Sequence, residues 1–349
     1  MGPMRNDPTN SKDFTESAGN SPEIVARIVY VSQARIHGSV YAEMERIRAC
    51  AVRHNEPAGI HTALLYQSGC FVQWTEGPGD ALLRLMDHVS GDRRHEGMRI
   101  VHSSRGPRLL AGPWSMAIVQ CNDTPVEMMA RVNGLRDMME AGKQSSPPAA
   151  WRQLSTPMRH PGAARQSDPD AFQRILVCSS WANESFELVD WLARRTRQEV
   201  VHRRFAGAKE LDVGTDLVDF QEEDRVMRVI AMARKGLTLS LTRAFLPDYS
   251  HLMLLLCGER QHDLALLHRV AEACAGLASP PLLLGVAEKE STHDEAFAIA
   301  HRLGLIYLKC NARPDSAADV WTATFPVLSL ARDAANSGYS TASRQVSRS

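Results

Sequence analysis

The chain has 349 residues, long for a single core, so two domains are expected. Its 40 basic and 40 acidic residues balance, which speaks against a dedicated nucleic-acid surface or a polybasic membrane patch. Seven scattered cysteines without a Cys-x-x-Cys pair suit a reducing cytoplasm rather than a disulfide frame or zinc site, and no apolar run reaches bilayer-spanning length.

Residues 1–22 are polar, lack an apolar signal core and read as a disordered leader. Ile24–Ser32 is predicted to be a strand. Val40, Met44, Ile47 and Ala51 fall at helical spacing and predict a helix over Val40–His54. Two apolar runs, Ile60–Tyr66 and Cys70–Trp74, flank Gln67-Ser68-Gly69, the signature of a β-hairpin whose corner needs positive φ. A second helix begins at Gly79-Asp80, with Asp80 as the expected N-cap and Leu82, Leu83, Leu85, Met86 and Val89 as its apolar stripe. Strands are expected at Met98–Ser103 and Trp114–Val119. The order β-α-β-β-α-β-β predicts a ferredoxin-like α+β sheet with two helices on one face. A further helix over Pro125–Gly142 leaves this unit, and residues 143–170, rich in proline and serine, read as a linker.

Candidate site residues cluster in the first unit. Asn55 and Gln73 are carboxamides in apolar surroundings, each offering a donor and an acceptor. Taken singly, each candidate has a plain reading. Gln73 reads as a surface group on an edge strand, and Tyr30 and Trp114 read as core aromatics. Arg94 and His95 read as a solvated charge cluster at a helix end.

Together the residues are ordered: Tyr30 in I-V-Y-V-S, Asn55, Gln73 in F-V-Q-W-T-E-G, D-R-R-H at 92–95, and W-S-M at 114–116. This ordered set resembles the BLUF family, blue-light sensors that use FAD, over roughly residues 23–122. The resemblance implies an FAD site involving Tyr30, Asn55, Gln73, Arg94 and His95, with Ile28, Ile60, Leu64 and Leu65 as apolar walls. It implies that light draws an electron and then a proton from Tyr30. Gln73 relays the proton and ends with rearranged hydrogen bonds, and the change passes to Trp114 and Met116 and on to the following helix. Two departures stand out. His61-Thr62 occupies a Thr-Gly position, where it would crowd the flavin or contact it. The approach to the last strand has a displaced Arg108 and Ala111 in place of phenylalanine.

From Phe172 apolar strands alternate with helices, predicting a doubly wound α/β unit over 171–335, followed by a loose tail over 336–349. Its layout resembles small Ras-like GTPases, with most motifs lost. Glu184 stands where a phosphate-loop lysine would be, and Ser185 alone keeps its hydroxyl. Lys289 is the survivor of the guanine motif, and Gly236 of the D-x-x-G motif. Repulsion between Glu184 and phosphate disfavours nucleotide binding. The reading is therefore a cytoplasmic photoreceptor that is not an enzyme. It signals to a protein partner through the carboxy-terminal unit or the helix at 123–142, without nucleic acid or membrane, and a homo-oligomer is compatible with it. The alternatives are a GTPase, light-gated or independent of light, and a scaffold whose two domains have lost their ligands.

Overall fold

Five strands and two helices account for the first third of the chain. β1 (Ile24–Ala34) pairs antiparallel with β3 (Cys70–Gly77) and with β4 (His95–Pro107). β2 (His61–Gln67) pairs antiparallel with β3 and parallel with β5 (Trp114–Gln120). Ser68 and Gly69 have φ of 52° and 73°, the two left-handed corners that a type I′ hairpin demands. α1 (Val40–Asn55) and α2 (Gly79–Ser90) pack on one face, giving the expected ferredoxin-like α+β arrangement. The Ser39 hydroxyl caps α1 by accepting from the Ala42 amide at 3.3 Å. The N-cap of α2 is Pro78, not Asp80; Asp80 sits within the first turn, where its charge complements the helix dipole.

The computed structural model describes residues 23–120, 123–143, 145–157, 173–207, 213–223, 225–277 and 280–328. The leader at 1–22, the stretch 158–172 and the tail at 336–349 lie outside the described residues.

The opposite face of the sheet is also covered. α3 (Pro125–Glu140) starts with a full capping box in which Thr124 and Glu127 satisfy each other's backbone. The stretch expected to be a linker contains a second helix, α4 (Pro147–Ser155). Ser146 caps it, and prolines at its first positions are pre-set for a helix start. The proline content that suggested a linker therefore marks a helix N-terminus. Ala150, Trp151 and Leu154 of α4 are buried against Trp74 and its neighbours. Three arginines tie its surroundings to the rest of the chain. Arg152 pairs with Asp248, Arg203 donates to the Ser155 carbonyl at 3.0 Å, and Arg228 donates to the Thr156 carbonyl at 2.8 Å.

The carboxy-terminal half continues the same sheet. Its strands are β6 (Gln173–Ser179), β7 (Val201–Gly207), β8 (Val213–Glu222), β9 (Arg225–Met232), β10 (His251–Leu255), β11 (Leu282–Ala287) and β12 (Tyr307–Asn311). The order across the twelve strands is β12-β11-β10-β6-β9-β8-β7-β5-β2-β3-β1-β4. β6, β9, β10, β11 and β12 run parallel, whereas β8 is antiparallel to β9 and β7 is antiparallel to both β8 and β5. β7 and β8 were not anticipated from the sequence. α5 (Glu184–Thr196) and a helix over 317–328 cover one face of this half. The other face carries α7 (Arg260–Cys274) and α8 (Glu290–Arg302). A 3₁₀ turn (Arg234–Thr238) and the short α6 (Ser240–Phe245) follow β9.

Replacing Trp151 with alanine removes a fully packed ring from the core behind β3. It should destabilise the fold by about 3–5 kcal/mol in urea titrations. A loss below about 1 kcal/mol would identify the segment as a loose connection after all.

Candidate functional site

The register of the sheet sets the site. On the face carrying α1 and α2, Tyr30 on β1 lies directly opposite Gln73 on β3. Gln73 in turn faces Leu64 on β2, and Leu64 faces Met116 on β5. In the next row of this face, Ile28, Thr75, Thr62 and Trp114 follow one another across the same strands. The Tyr30 hydroxyl donates to the Gln73 side-chain carbonyl. Tyr30 is 1 % exposed, and burial, with Asp92 adding to it, pushes its phenol far above the ordinary tyrosine range. The group that meets Gln73 is therefore a neutral phenol holding its proton.

This pair forms the floor of a cavity of about 540 Å³ between α1, α2 and the sheet. That volume is in the usual range for a cofactor pocket. Ile60, Leu64, Phe71 and Leu85 supply apolar wall, and Asn55 closes the end of α1. Asn55 is buried and its amide donates to the Thr62 hydroxyl at 3.5 Å. Trp114 and His95 also line the cavity. Met116 does not; it packs behind Leu64 and Trp114 with Met44 and Phe71. Arg94 stands at the rim, its guanidinium 2.9 Å from Asp92 and 3.9 Å from Glu43. Hydrogen bonding to Arg94 holds the Asp92 carboxyl below its ordinary value. Burial lowers the His95 imidazole, which leans toward its neutral form.

Among the wall residues expected from the sequence, Ile60 and Leu64 face the cavity. Ile28 packs beside it, and Leu65 points to the opposite face, as strand alternation requires. His61 and Thr62 do not crowd the pocket. The His61 ring nitrogen Nδ1 lies 2.5 Å from the Leu110 carbonyl, and Thr62 is held by Asn55. Sequence reasoning missed Cys50, His54, Arg84 and His88, and assigned no site role to Ser32 and Asp92, which stand in the quoted motifs; all six line the cavity. Cys50/His54 and Arg84/His88 are i,i+4 pairs beside the apolar stripes of their helices, the signal by which they could have been found.

The cavity suits a flat aromatic cofactor with a polar rim. Three buried polar atoms on its lining, Ser32 Oγ, His95 Nδ1 and Trp114 Nε1, have no partner within the described residues. Buried groups of this kind call for a ligand or water. An α+β sheet with a tyrosine–glutamine pair under two helices, beside such orphaned donors and acceptors, has the features of a cofactor-binding domain.

Residues 25–117 match the BLUF family, described as sensors of blue-light using FAD, and this part of the chain is a BLUF domain with FAD as its cofactor. The photoactivated adenylate cyclase subunit alpha of Euglena gracilis is 30% identical over 123 residues, 35% of this chain and 11% of that protein. The subunit beta of Euglena longa is 31% identical over 113 residues, 32% of this chain and 12% of that protein. The chain thus spans only a small part of the curated relatives' length. The dark-state structure of BlrB, a BLUF protein, is 26% identical, covers 42% of this chain and 98% of its own, and aligns with a TM-score of 0.27. These relatives correct one expectation. The sequence reading placed the chain outside the enzymes, and that exclusion falls because the matched relatives are cyclases by name.

The second set of sequence candidates sits at the carboxyl ends of the parallel strands. Ser179 and Ser185 flank the loop after β6, their hydroxyls 3.3 Å apart, and Glu184 opens α5. Trp181 from this loop lies against His262 of α7, ring centroids 4.1 Å apart. Lys289 stands at the N-cap position of α8 without a side-chain cap, and Gly236 lies in the 3₁₀ turn. No helix among the described residues is long and apolar enough to cross a membrane.

Because the Tyr30 phenol is raised in the folded state, the fold retains a proton that the unfolded chain loses above about pH 10. Stability should accordingly fall as pH rises beyond that point. Tyr30→Phe should shallow this alkaline decline in a series of urea titrations, the remaining slope coming from other buried tyrosines. An unchanged slope would refute the buried-phenol assignment.

Proposed function

We propose that this chain is a blue-light photoreceptor in which Tyr30 and Gln73 form the light-responsive pair and the carboxy-terminal half is the output. The observation that carries the reading is the hydrogen bond from the Tyr30 hydroxyl to the Gln73 carbonyl on the cavity floor. Bound FAD supplies blue-light absorption and an excited state that accepts an electron. The chain's own residues do the rest. Tyr30 keeps its proton on the phenol oxygen in the dark, directed at Gln73 Oε1. The terminal torsion of Gln73 is soft and roughly two-fold, so its amide and carbonyl ends can exchange places. Such an exchange turns an acceptor toward Tyr30 into a donor and alters the network by about 1 kcal/mol per hydrogen bond. Asn55, fixed by Thr62, holds the cofactor's polar edge. Arg94, steadied by Asp92, and His95 serve its rim and its phosphate-bearing end. Trp114 and Met116 read the change on β5, two strands away from Gln73.

The functional units in this reading are a sensor at 23–122, an output helix at 123–142 and an output domain at 171–335. The strand order β8-β9-β6-β10-β11-β12, with β8 alone antiparallel, supports a GTPase-like layout for the last. A partner protein bound through this half is the output that its altered phosphate-loop residues, Glu184 above all, support. A light-gated enzymatic output is the second reading, favoured by the cyclases among the relatives. Turnover of nucleoside triphosphates that differs between dark and blue-lit samples would establish it.

The purified protein should be yellow and should shift its flavin absorption reversibly to the red under blue light. Tyr30→Phe and Gln73→Leu should each keep the flavin and lose that shift. A normal shift in Gln73→Leu would remove Gln73 from the mechanism.

A further inference from the structure

The face of the sheet opposite the cavity holds a second row of residues, one position along each strand from the first. Val29, Trp74, Ala63 and Ser115 lie side by side on β1, β3, β2 and β5. Trp74 directly follows Gln73, and Ser115 separates Trp114 from Met116. A shift of either strand at the cavity therefore moves this row as well. Among the elements resting on this row is α6, which belongs to the carboxy-terminal half. The Ser240 hydroxyl meets the Ser115 hydroxyl at 2.5 Å, and both residues are buried. Phe245 lies edge-on to Trp74, ring centroids 6.3 Å apart. Leu241 and Ala244 are buried in the same core as Val29, Ala63 and Trp74. The small Ala63 between Trp74 and Ser115 leaves room for the helix.

The other end of this segment reaches the crevice of the carboxy-terminal half. Arg234, at the start of the 3₁₀ turn that precedes α6, donates to the Ser180 carbonyl in the loop after β6. The Ser180 hydroxyl accepts from the Cys257 amide at 3.0 Å, joining that loop to the one after β10. Leu237 and Leu246, on either side of α6, are buried in the core under α7, whereas Leu241 and Ala244 are buried behind the flavin site. One short stretch is thus embedded in both cores.

We infer that residues 234–245 are the transmitter of this protein, carrying the change at Gln73 and Trp114 through the Trp74–Ser115 row to the Ser179–Ser185 loop. The inference rests on the photoreceptor reading above and specifies how that site regulates the other half. β5 is held between β2 and β7 by backbone ladders on both sides, so it cannot move as a free edge. A displacement of its side-chain rows is passed on to what packs against them, and α6 is that element from the output half. Arg234 then acts as a positioning residue for the loop, with no contact to the flavin cavity.

Hydrogen exchange of the full FAD-loaded chain in the dark and under blue light tests this. In the unaltered protein, light should change amide exchange in both 240–245 and 180–184. Arg234→Ala should keep the red shift and the response at 240–245 while losing the response at 180–184. Ser240→Ala, a smaller change that guards against misfolding of the first variant, should keep the red shift and weaken both responses. A full response at 180–184 in Arg234→Ala overturns the inference and leaves the photoreceptor reading intact. So does a red shift without any exchange change at 240–245 in the unaltered protein. Absence of the red shift itself in the unaltered protein overturns the photoreceptor reading, and the inference with it.

Discussion

A neutral phenol facing a carboxamide across two paired strands is the constraint that the rest of this structure serves. Tyr30 and Gln73 meet because β1 and β3 pair in one register. A slip of one residue would turn either group to the other face of the sheet. The register is pinned locally by the Ser68-Gly69 corner, which fixes β2 against β3, and at the far end by β4, which bulges to follow β1. Tyr30 is buried among the strands and helices, whereas Gln73 is half-buried and opens onto the cavity. In that setting a buried polar contact is strengthened, and its misplacement is costly.

Strand alternation gives the sheet a second function beyond holding the cavity. Each residue that faces the flavin site has a neighbour in sequence that faces the opposite core. Gln73 is followed by Trp74, and Trp114 by Ser115. The two faces are therefore mechanically joined through the backbone, without a dedicated channel of side chains. The continuous sheet extends this coupling. β5 would be the outer strand of the amino-terminal sheet, but here it pairs with β7, so the sensor has no free edge on that side.

Much of the amino-terminal site was legible because its residues are bound to short, periodic elements. The hairpin and both helices follow from local pattern, whereas the grouping of Tyr30, Asn55, Gln73 and Trp114 was implied by the family resemblance and not by local pattern. What escaped was long-range. The β5–β7 pairing joins segments far apart in sequence and leaves no local mark. β7 and β8 carry many polar and charged residues, which masked their strand pattern. α4 was hidden by Pro147-Pro148, residues that stop a helix in its interior and start one at its first turn. Polar cavity residues such as Arg84 and His88 escape an amphipathic pattern, which separates core from surface but not cavity from either. The carboxy-terminal layout was readable in outline, but loss of motif residues is not loss of activity, and the exclusion of an enzyme rested on it.

The departures from the family's usual pattern fall away from the cavity. His61 turns to the Leu110 carbonyl. Arg108 binds Glu23 at 2.8 Å and donates to the Gly59 carbonyl at 3.0 Å, stitching the start of β1 to the turn before β2. Ala111 is exposed, and Leu110 beside it is buried in the core behind the sheet. Glu76 completes the set: fully buried, it accepts the Leu109 and Leu110 amides at 2.7 and 2.9 Å and the Trp74 indole at 3.1 Å. Burial raises this carboxyl's pKa, and the donated hydrogen bonds pull it back. The loop leading into β5 is thus held to the end of β3 by the Glu76 carboxylate and to the start of β2 by the His61 imidazole. Loop and sheet are clamped behind the cavity, and none of these contacts takes up a residue that lines it.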